Sequence, residues 1–267
     1  MVPKFVSIML IAAATCAAAL GQNPPAQSPA TPAATTAAAP QQNSKDAAAS
    51  QPAAKPAPPA PDVVGLKKKA LAGDVASQNR LGEIYGVGLG VPRNLAESAK
   101  WFHMAADQGD PAAELKMGLM TLGGFGVTPD VKQGLYWYNL SASHGNVNAM
   151  FQLGTFYEQG FRVDKSATEA MKWYRMAADK GHVEAQLKVA DIYRTGLDEI
   201  PHDYQESLKW YRAAAEQNNG AAEYFLGYMY QEGLGVNKSV EEAANWYNKA
   251  VHDNFSSASI ALRNLSR

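Results

Sequence analysis

The chain has 267 residues, and its 24 Lys and Arg residues nearly balance its 25 Asp and Glu residues. This composition leaves no basic surface for nucleic acid and no acidic tail, so we expect no nucleic-acid partner. The only cysteine is Cys16. A disulfide framework and a thiolate metal site are therefore excluded.

The first 21 residues have the pattern of a secretory signal peptide. A lysine precedes an uncharged, mostly apolar run at residues 5–20, which is short for a membrane span. The small residues Ala19 and Gly21 predict cleavage before Gln22. We therefore expect the protein to be exported, to a periplasm or to the medium. The alternative is an uncleaved N-terminal anchor, which would be the only membrane contact.

Residues 22–61 form a region of different composition, rich in Ala, Pro, Gln, Ser and Thr and without any aromatic residue. Such a stretch cannot bury enough apolar surface to offset the entropy lost on ordering. We predict a disordered Ala/Pro-rich linker here.

The tryptophans mark an internal repeat. All five are regularly spaced, with steps of 36, 36, 37 and 36 residues, at Trp101, Trp137, Trp173, Trp210 and Trp246. Three residues before each Trp there is a small residue, and eight residues after it there is Gly or Asn. A fixed period of this length in a helix-forming composition indicates a solenoid. The one extra residue falls in the fourth copy, in the stretch TGLDEIPHD.

Each copy reads as two antiparallel helices. In the third copy an apolar stripe predicts a first helix at about residues 147–158. The second helix should begin near Ser166 and end at Gly181, with Trp173 filling the space beside an Ala-Ala pair. Half-copies at both ends extend the predicted domain to residues 62–267, with twelve helices.

Two motifs carry a resemblance to a known family. The fifth copy contains A-x-x-x-L-G-x-x-Y-x-x-G-x-G-V, as Ala222, Leu226, Gly227, Tyr230, Gly233, Gly235 and Val236. The third copy contains W-Y-x-x-A-A-x-x-G, as Trp173, Tyr174, Ala177, Ala178 and Gly181. These motifs resemble the Sel1-like repeat over essentially all of residues 63–267. Tetratricopeptide repeats have a period of 34 and lack the Gly-x-Gly-Val corner.

The resemblance implies an all-α fold, a right-handed α-α superhelix (solenoid) that acts as a non-enzymatic adaptor of the bacterial envelope. The resemblance also implies an alternative function, because cysteine-rich relatives have been linked to penicillin or β-lactam binding. This chain lacks the cysteines of that branch. An envelope hydrolase or a penicillin-binding or β-lactamase-like enzyme is therefore the second hypothesis, and a simple spacer is the third.

The sequence contains no recognisable catalytic motif. There is no Ser-x-x-Lys, Gly-x-Ser-x-Gly, His-Glu-x-x-His or phosphate-binding glycine loop. None of the five histidines forms an i, i+4 pair with another histidine or a cysteine. We predict no catalytic residue, no cofactor and no metal.

Candidate partner-binding residues are those that break the repeat pattern on the first helices. We predict an aromatic anchor at Phe225 and Tyr228 and a second apolar contact at Leu119 and Leu122. The family implies that these helices line the concave surface, where an unidentified protein or peptide would bind. The alternative is that the four side chains pack against the neighbouring repeat. We expect a monomer.

Overall fold

A computed structural model of the chain describes residues 61–265. The predicted signal peptide and the predicted linker, apart from residue 61, lie outside the described residues, as do the last two residues of the chain. The boundaries of these two segments therefore stay predictions.

The described part of the chain is built from helices alone. Its twelve α-helices are α1 (Val63–Leu71), α2 (Val75–Val87), α3 (Leu95–Ala106), α4 (Pro111–Gly123), α5 (Val131–Ser143), α6 (Val147–Gln159), α7 (Ala167–Asp179), α8 (Val183–Thr195), α9 (Tyr204–Ala215), α10 (Gly220–Glu232), α11 (Val240–His252) and α12 (Ser256–Leu265). Within residues 61–265, no helix has the length and apolar character needed to cross a bilayer.

The helices alternate between two kinds. We call α2, α4, α6, α8 and α10 the A helices, and α3, α5, α7, α9 and α11 the B helices; each A helix and the next B helix make one repeat. Consecutive helices pack against each other along the described chain. The all-α solenoid with twelve helices is thus confirmed. The end helices α1 and α12 each cover one end of the stack.

The helix boundaries follow from local capping. In repeat 3, the Ser166 hydroxyl accepts a hydrogen bond from the backbone N–H of Glu169 and caps the start of α7. Just after that helix, Gly181 has φ +85°, a backbone conformation that favours glycine. Both ends of the predicted second helix are confirmed, and α6 matches the predicted first helix to one residue.

A close approach between the two helices of each repeat forms the core. The eighth residue of α6 is Gly154, and a Cβ there would lie 2.6 Å from a ring carbon of Tyr174. The same contact joins the eighth residue of three other A helices to the aromatic residue that follows the Trp, as Gly82–Phe102, Gly118–Tyr138 and Gly227–Tyr247. Glycine lets the ring lie directly on the helix backbone. Repeat 4 has the fully buried Ala190 instead.

The predicted Trp packing is confirmed only in part. Trp101, Trp137 and Trp210 are buried, whereas Trp173 and Trp246 are half-buried. The deepest aromatic side chains are instead the tyrosines that follow the Trp, and Tyr174, Tyr211 and Tyr247 are at most 1% exposed. The small pair after the Trp is buried in the first four repeats. In the fifth repeat its second member, Val251, is 39% exposed at the end of the stack.

Candidate functional site

One surface of the A helices is built from their sixth, ninth and twelfth residues, which we call the A-helix face. Residues three apart on an α-helix fall on the same side, so the three positions form one strip per repeat. In repeats 3, 4 and 5 the strip consists of Gln152, Thr155, Glu158, Lys188, Asp191, Arg194, Phe225, Tyr228 and Gln231. All nine side chains are half-buried.

Charged side chains on this face connect repeats 3 and 4. Lys188 Nζ lies 2.9 Å from Glu158 Oε2. The Tyr174 hydroxyl, which reaches the face from the B helix of repeat 3, donates to the same oxygen at 2.7 Å. Burial, followed by the Glu158 charge, raises the pKa of Tyr174, so the phenol stays protonated and remains a donor.

A second polar cluster occupies the face of repeat 4. The Tyr211 hydroxyl donates to Asp191 Oδ1 at 2.5 Å, and Arg194 Nη2 donates to the same oxygen at 3.0 Å. Arg194 Nε also donates to the Tyr211 hydroxyl at 3.0 Å. Burial, followed by the Asp191 charge, raises the pKa of Tyr211. These three side chains hold each other in place and fix the guanidinium at the border with repeat 5.

The predicted aromatic anchor lies against this cluster. Phe225 stacks on Tyr211 with ring centroids 5.3 Å apart, and the Arg194 guanidinium lies 4.8 Å from the Phe225 centroid. Part of the Phe225 ring therefore packs against the preceding repeat, as the alternative interpretation holds. Tyr228 lies one turn further along α10 and is also half-buried. Whether these two residues bind a partner stays a prediction.

The second predicted contact lies on the A-helix face of a different repeat, because Leu119 and Leu122 are the ninth and twelfth residues of α4. Leu119 and Leu122 are half-buried on α4 in repeat 2, and Leu122 packs against the central core. Two A helices, α6 and α8, separate α4 from α10 in the stack. The structure therefore places the two apolar pairs in separate repeats and does not bring them into one cluster.

The polar residues that surround the anchor were not among the residues predicted from the sequence. They are Asp191, Arg194 and Tyr211, whose hydroxyl reaches the A-helix face. The i, i+3 spacing of Asp191 and Arg194 was a readable signal for an ion pair on one helix face. The contact of Tyr211 with these residues could not be predicted from spacing along one helix, because Tyr211 belongs to the other helix of the repeat.

The described histidines make local contacts of several kinds. His182 caps α8 by accepting from the Ala185 N–H and stacks on Phe151, with ring centroids 4.8 Å apart. Burial lowers the pKa of His182. His144 pairs with Glu114 at 2.8 Å. Within residues 61–265, no three or more His, Cys, Asp or Glu side chains are grouped so as to hold a metal ion.

Helical repeat scaffolds consist of stacked helix pairs in which one helix of each pair contributes to a continuous surface. The A and B helices described above have this architecture. The family model for the Sel1 repeat matches residues 75–110, 111–146, 147–182, 183–219 and 220–254. These five segments follow the A and B helices described above. The chain belongs to the Sel1 repeat family. Sel1 repeat proteins generally mediate protein–protein interactions and are typically non-catalytic.

Two solved structures illustrate the similarity. The chain is 36% identical to c5321, a protective antigen of uropathogenic Escherichia coli strains with an SLR fold, at a TM-score of 0.71. That match covers 76% of this chain and 43% of c5321, so this chain corresponds to less than half of that protein. It is also 39% identical to a Sel1 repeat protein from Oxalobacter formigenes, at a TM-score of 0.62 and covering 71% and 78% of the two chains. No curated protein gives a match.

Substitution of Tyr211 by Phe tests the polar cluster that supports Phe225. Repeat 1 carries Phe102 at the same place, so the ring alone fits the core. Loss of the hydroxyl removes the bond to Asp191, and we expect the free energy of unfolding to fall by about 1 kcal/mol. Urea-induced unfolding measures this change. The control is Tyr136→Phe on the exposed side of α5; equal effects of the two substitutions would show that the cluster contributes nothing.

Proposed function

We propose that this protein is an exported scaffold of the bacterial envelope that binds a protein or peptide partner on its A-helix face. The observation that carries the proposal is the change in character of this face at repeat 5. Repeats 3 and 4 present paired charges there, whereas repeat 5 presents Phe225 and Tyr228. Aromatic side chains held in a half-buried surface are typical hot spots of protein interfaces.

The preorganisation of the anchor supports the same proposal. Phe225 is fixed between Tyr211 and Arg194, so a partner would not have to immobilise a freely rotating ring. Arg194 adds a cation beside the ring, and the N–H donors that Tyr211 and Asp191 do not occupy suit a carboxylate or carbonyl of the partner. Nothing specific among residues 61–265 favours the enzymatic alternative. The proposal includes a monomer, with one partner site per chain.

Capture from an envelope extract of the source bacterium tests the partner site. The variant Phe225→Ala/Tyr228→Ala removes both rings of the proposed anchor. We expect it to recover at least about tenfold less of the partner than the wild type, since two hot-spot residues together contribute well over 1.4 kcal/mol. Quantitative mass spectrometry of the captured proteins measures the loss.

The matched control removes two aromatic rings from other surfaces of the same solenoid. Tyr136 on α5 and Phe161 in the corner of repeat 3 are 54% and 45% exposed. We expect Tyr136→Ala/Phe161→Ala to recover the partner as the wild type does. Undiminished recovery by the Phe225/Tyr228 variant, with circular dichroism confirming its fold, would refute the proposed site.

Export is the second part of the proposal, and it rests on the signal-peptide pattern of residues 1–21. The description of the similar E. coli protein as a protective antigen agrees with an exposed location. N-terminal sequencing of the mature protein from the source bacterium should begin at Gln22. A chain that still starts at residue 1 and fractionates with the cytoplasm would contradict export.

A further inference from the structure

A polar pair with one buried member recurs in the repeats, on the side where an A helix meets the end of its B helix. Its first member is the fourth residue of the A helix. Its second member precedes the Gly or Asn that ends the repeat. In repeat 1, Gln108 Nε2 donates to Gln78 Oε1 at 2.7 Å. In repeat 4, Gln217 Nε2 donates to Gln186 Oε1 at 2.9 Å.

In repeats 1 and 4, the glutamine on the A helix also donates a hydrogen bond. Gln78 Nε2 donates to the Ala70 carbonyl at 2.9 Å, and Gln186 Nε2 donates to the Ala178 carbonyl at 3.3 Å. Both carbonyls belong to the last turn of the preceding helix. The side-chain amide therefore links two neighbouring repeats. Each carbonyl also accepts from a backbone N–H, that of Gly73 or Gly181, so the glutamine supplies a second donor.

Repeats 2 and 3 carry other residues at these positions. In repeat 2 the pair consists of Glu114 and His144, and His144 Nδ1 lies 2.8 Å and 3.0 Å from the two carboxylate oxygens. In repeat 3 the fourth residue is Met150, which is apolar and 2% exposed. In each of these four repeats the fourth residue of the A helix is therefore either apolar or hydrogen-bonded to its pair partner.

Repeat 5 differs from these four repeats, because its pair consists of two acids, Glu223 and Asp253. Glu223 is 4% exposed, and its Oε2 atom is buried without a hydrogen-bond partner. The carbonyl that corresponds to those of Ala70 and Ala178 is that of Ala215, which lines the same cavity. Burial, followed by the Asp253 charge, raises the pKa of Glu223. The Ala215 carbonyl accepts from the Asn218 N–H at 2.9 Å, but it lacks the side-chain donor that repeats 1 and 4 place here, where Glu223 offers only acceptors.

These acceptors open into a cavity of about 950 Å³ between α9, α10 and α11. Its walls include Trp246, whose indole provides an apolar surface beside the two carboxylates. The volume is large for a metal ion but typical of sites for small organic groups. Glu216 is a third acidic residue of the lining. No three His, Cys, Asp or Glu side chains among residues 61–265 are grouped so as to hold a metal ion, so the lining suits an organic cation better than a metal.

Two basic side chains, Lys249 and His252, line the cavity. Neither donates a hydrogen bond to Glu223 Oε2. Lys249 Nζ lies 4.0 Å from the centroid of the Trp246 ring. His252 Nδ1 lies 2.8 Å from Asp253 Oδ1, with the His252 side chain 88% exposed. Both lower the pKa of Glu223 through their charge, but neither donates a hydrogen bond to its Oε2 atom.

We propose that this cavity of repeat 5 is a binding site for a guanidinium or ammonium group. Such a group brings several N–H donors and a positive charge to a place that holds two carboxylates and a carbonyl. Its source is either an arginine or lysine side chain of a protein or a small organic cation. The site is separate from the A-helix face, since its lining comes from α9, α11 and the first turn of α10.

The first test titrates the full chain with Nα-acetyl-arginine amide and follows the indole N–H signal of Trp246 by NMR. Nα-acetyl-citrulline amide is the matched probe, because it has nearly the same shape without the charge. We expect the arginine probe to shift the Trp246 signal and the citrulline probe to leave it unchanged. Equal shifts with both probes, or no shift with millimolar arginine probe, would overturn the proposal.

The matched variant is Glu223→Gln/Asp253→Gln, which recreates the Gln pair of repeats 1 and 4. Because that pair is native to this scaffold, we expect the variant to fold and to unfold at the same or a higher temperature. Its affinity for the arginine probe should fall at least about tenfold. Unchanged affinity in a folded variant would show that the probe binds elsewhere.

The pH dependence separates a bound cation from a proton held between the two acids. A raised pKa means that the folded protein favours protonated Glu223, and this stabilising effect is lost as the pH rises through that pKa. An organic cation binds the ionised form, so the affinity for the arginine probe should increase over the same pH range. Affinity that is constant, or that falls as the pH rises, would contradict the assignment.

Two arms distinguish the source of the cation. Binding of the peptide Gly-Ser-Arg-Ser-Gly at least about tenfold more tightly than the free arginine probe would identify a protein segment. Equal affinity would identify a small cation. The variant Phe225→Ala/Tyr228→Ala should bind the arginine probe as the wild type does, so failure of the partner site on the A-helix face leaves this test unaffected.

Discussion

The contact between a helix backbone and an aromatic ring determines the geometry of the whole stack. At the eighth residue of four A helices, glycine lets the ring after the Trp lie 2.6 to 2.8 Å from the place that a Cβ would occupy. Once the two helices of a repeat are fixed in this way, the next repeat can only continue the same stack.

This constraint leaves some positions free to vary. The sixth, ninth and twelfth residues of the A helices do not enter the contact between glycine and ring, so they differ from repeat to repeat. The fourth residue is buried and must be satisfied, yet it can be satisfied by a Gln pair, by a Glu–His pair or by an apolar side chain. Repeat 5 departs from its neighbours at both places. It presents aromatic rings on the A-helix face and two acids, Glu223 and Asp253, as the polar pair.

The fold was readable from the sequence because its signals are local and repeated. The Trp spacing predicted five copies, and the small residues and Gly stops predicted the ends of α6 and α7 to within two residues. The depth of the aromatic residues was less readable. Trp is the most conspicuous residue of the repeat pattern, but the Tyr174 and Tyr211 side chains are more deeply buried than any of the tryptophans. Only the geometry of a helix pair places the tyrosine over the glycine and leaves the Trp at the boundary between repeats.

The candidate sites were readable only in part, since they depend on contacts between elements. The position of Phe225 on its helix was predictable from periodicity, but its stacking on Tyr211 joins two repeats. The pairing of Glu223 with Asp253 spans the full length of a repeat, and it stands out only after Gln78 and Gln186 show what the place requires. A sequence pattern gives neither the burial of Glu223 nor the missing donor.

The central claim is that a partner binds where the A helices differ, while the shared frame does not take part. Hydrogen–deuterium exchange of the chain, alone and in complex with the captured partner, tests it directly. The account predicts slower exchange in α10 and in the adjoining half of α8 on binding, with unchanged exchange in the B helices α3, α5 and α7. Protection confined to the B helices, with α10 unaffected, would contradict it.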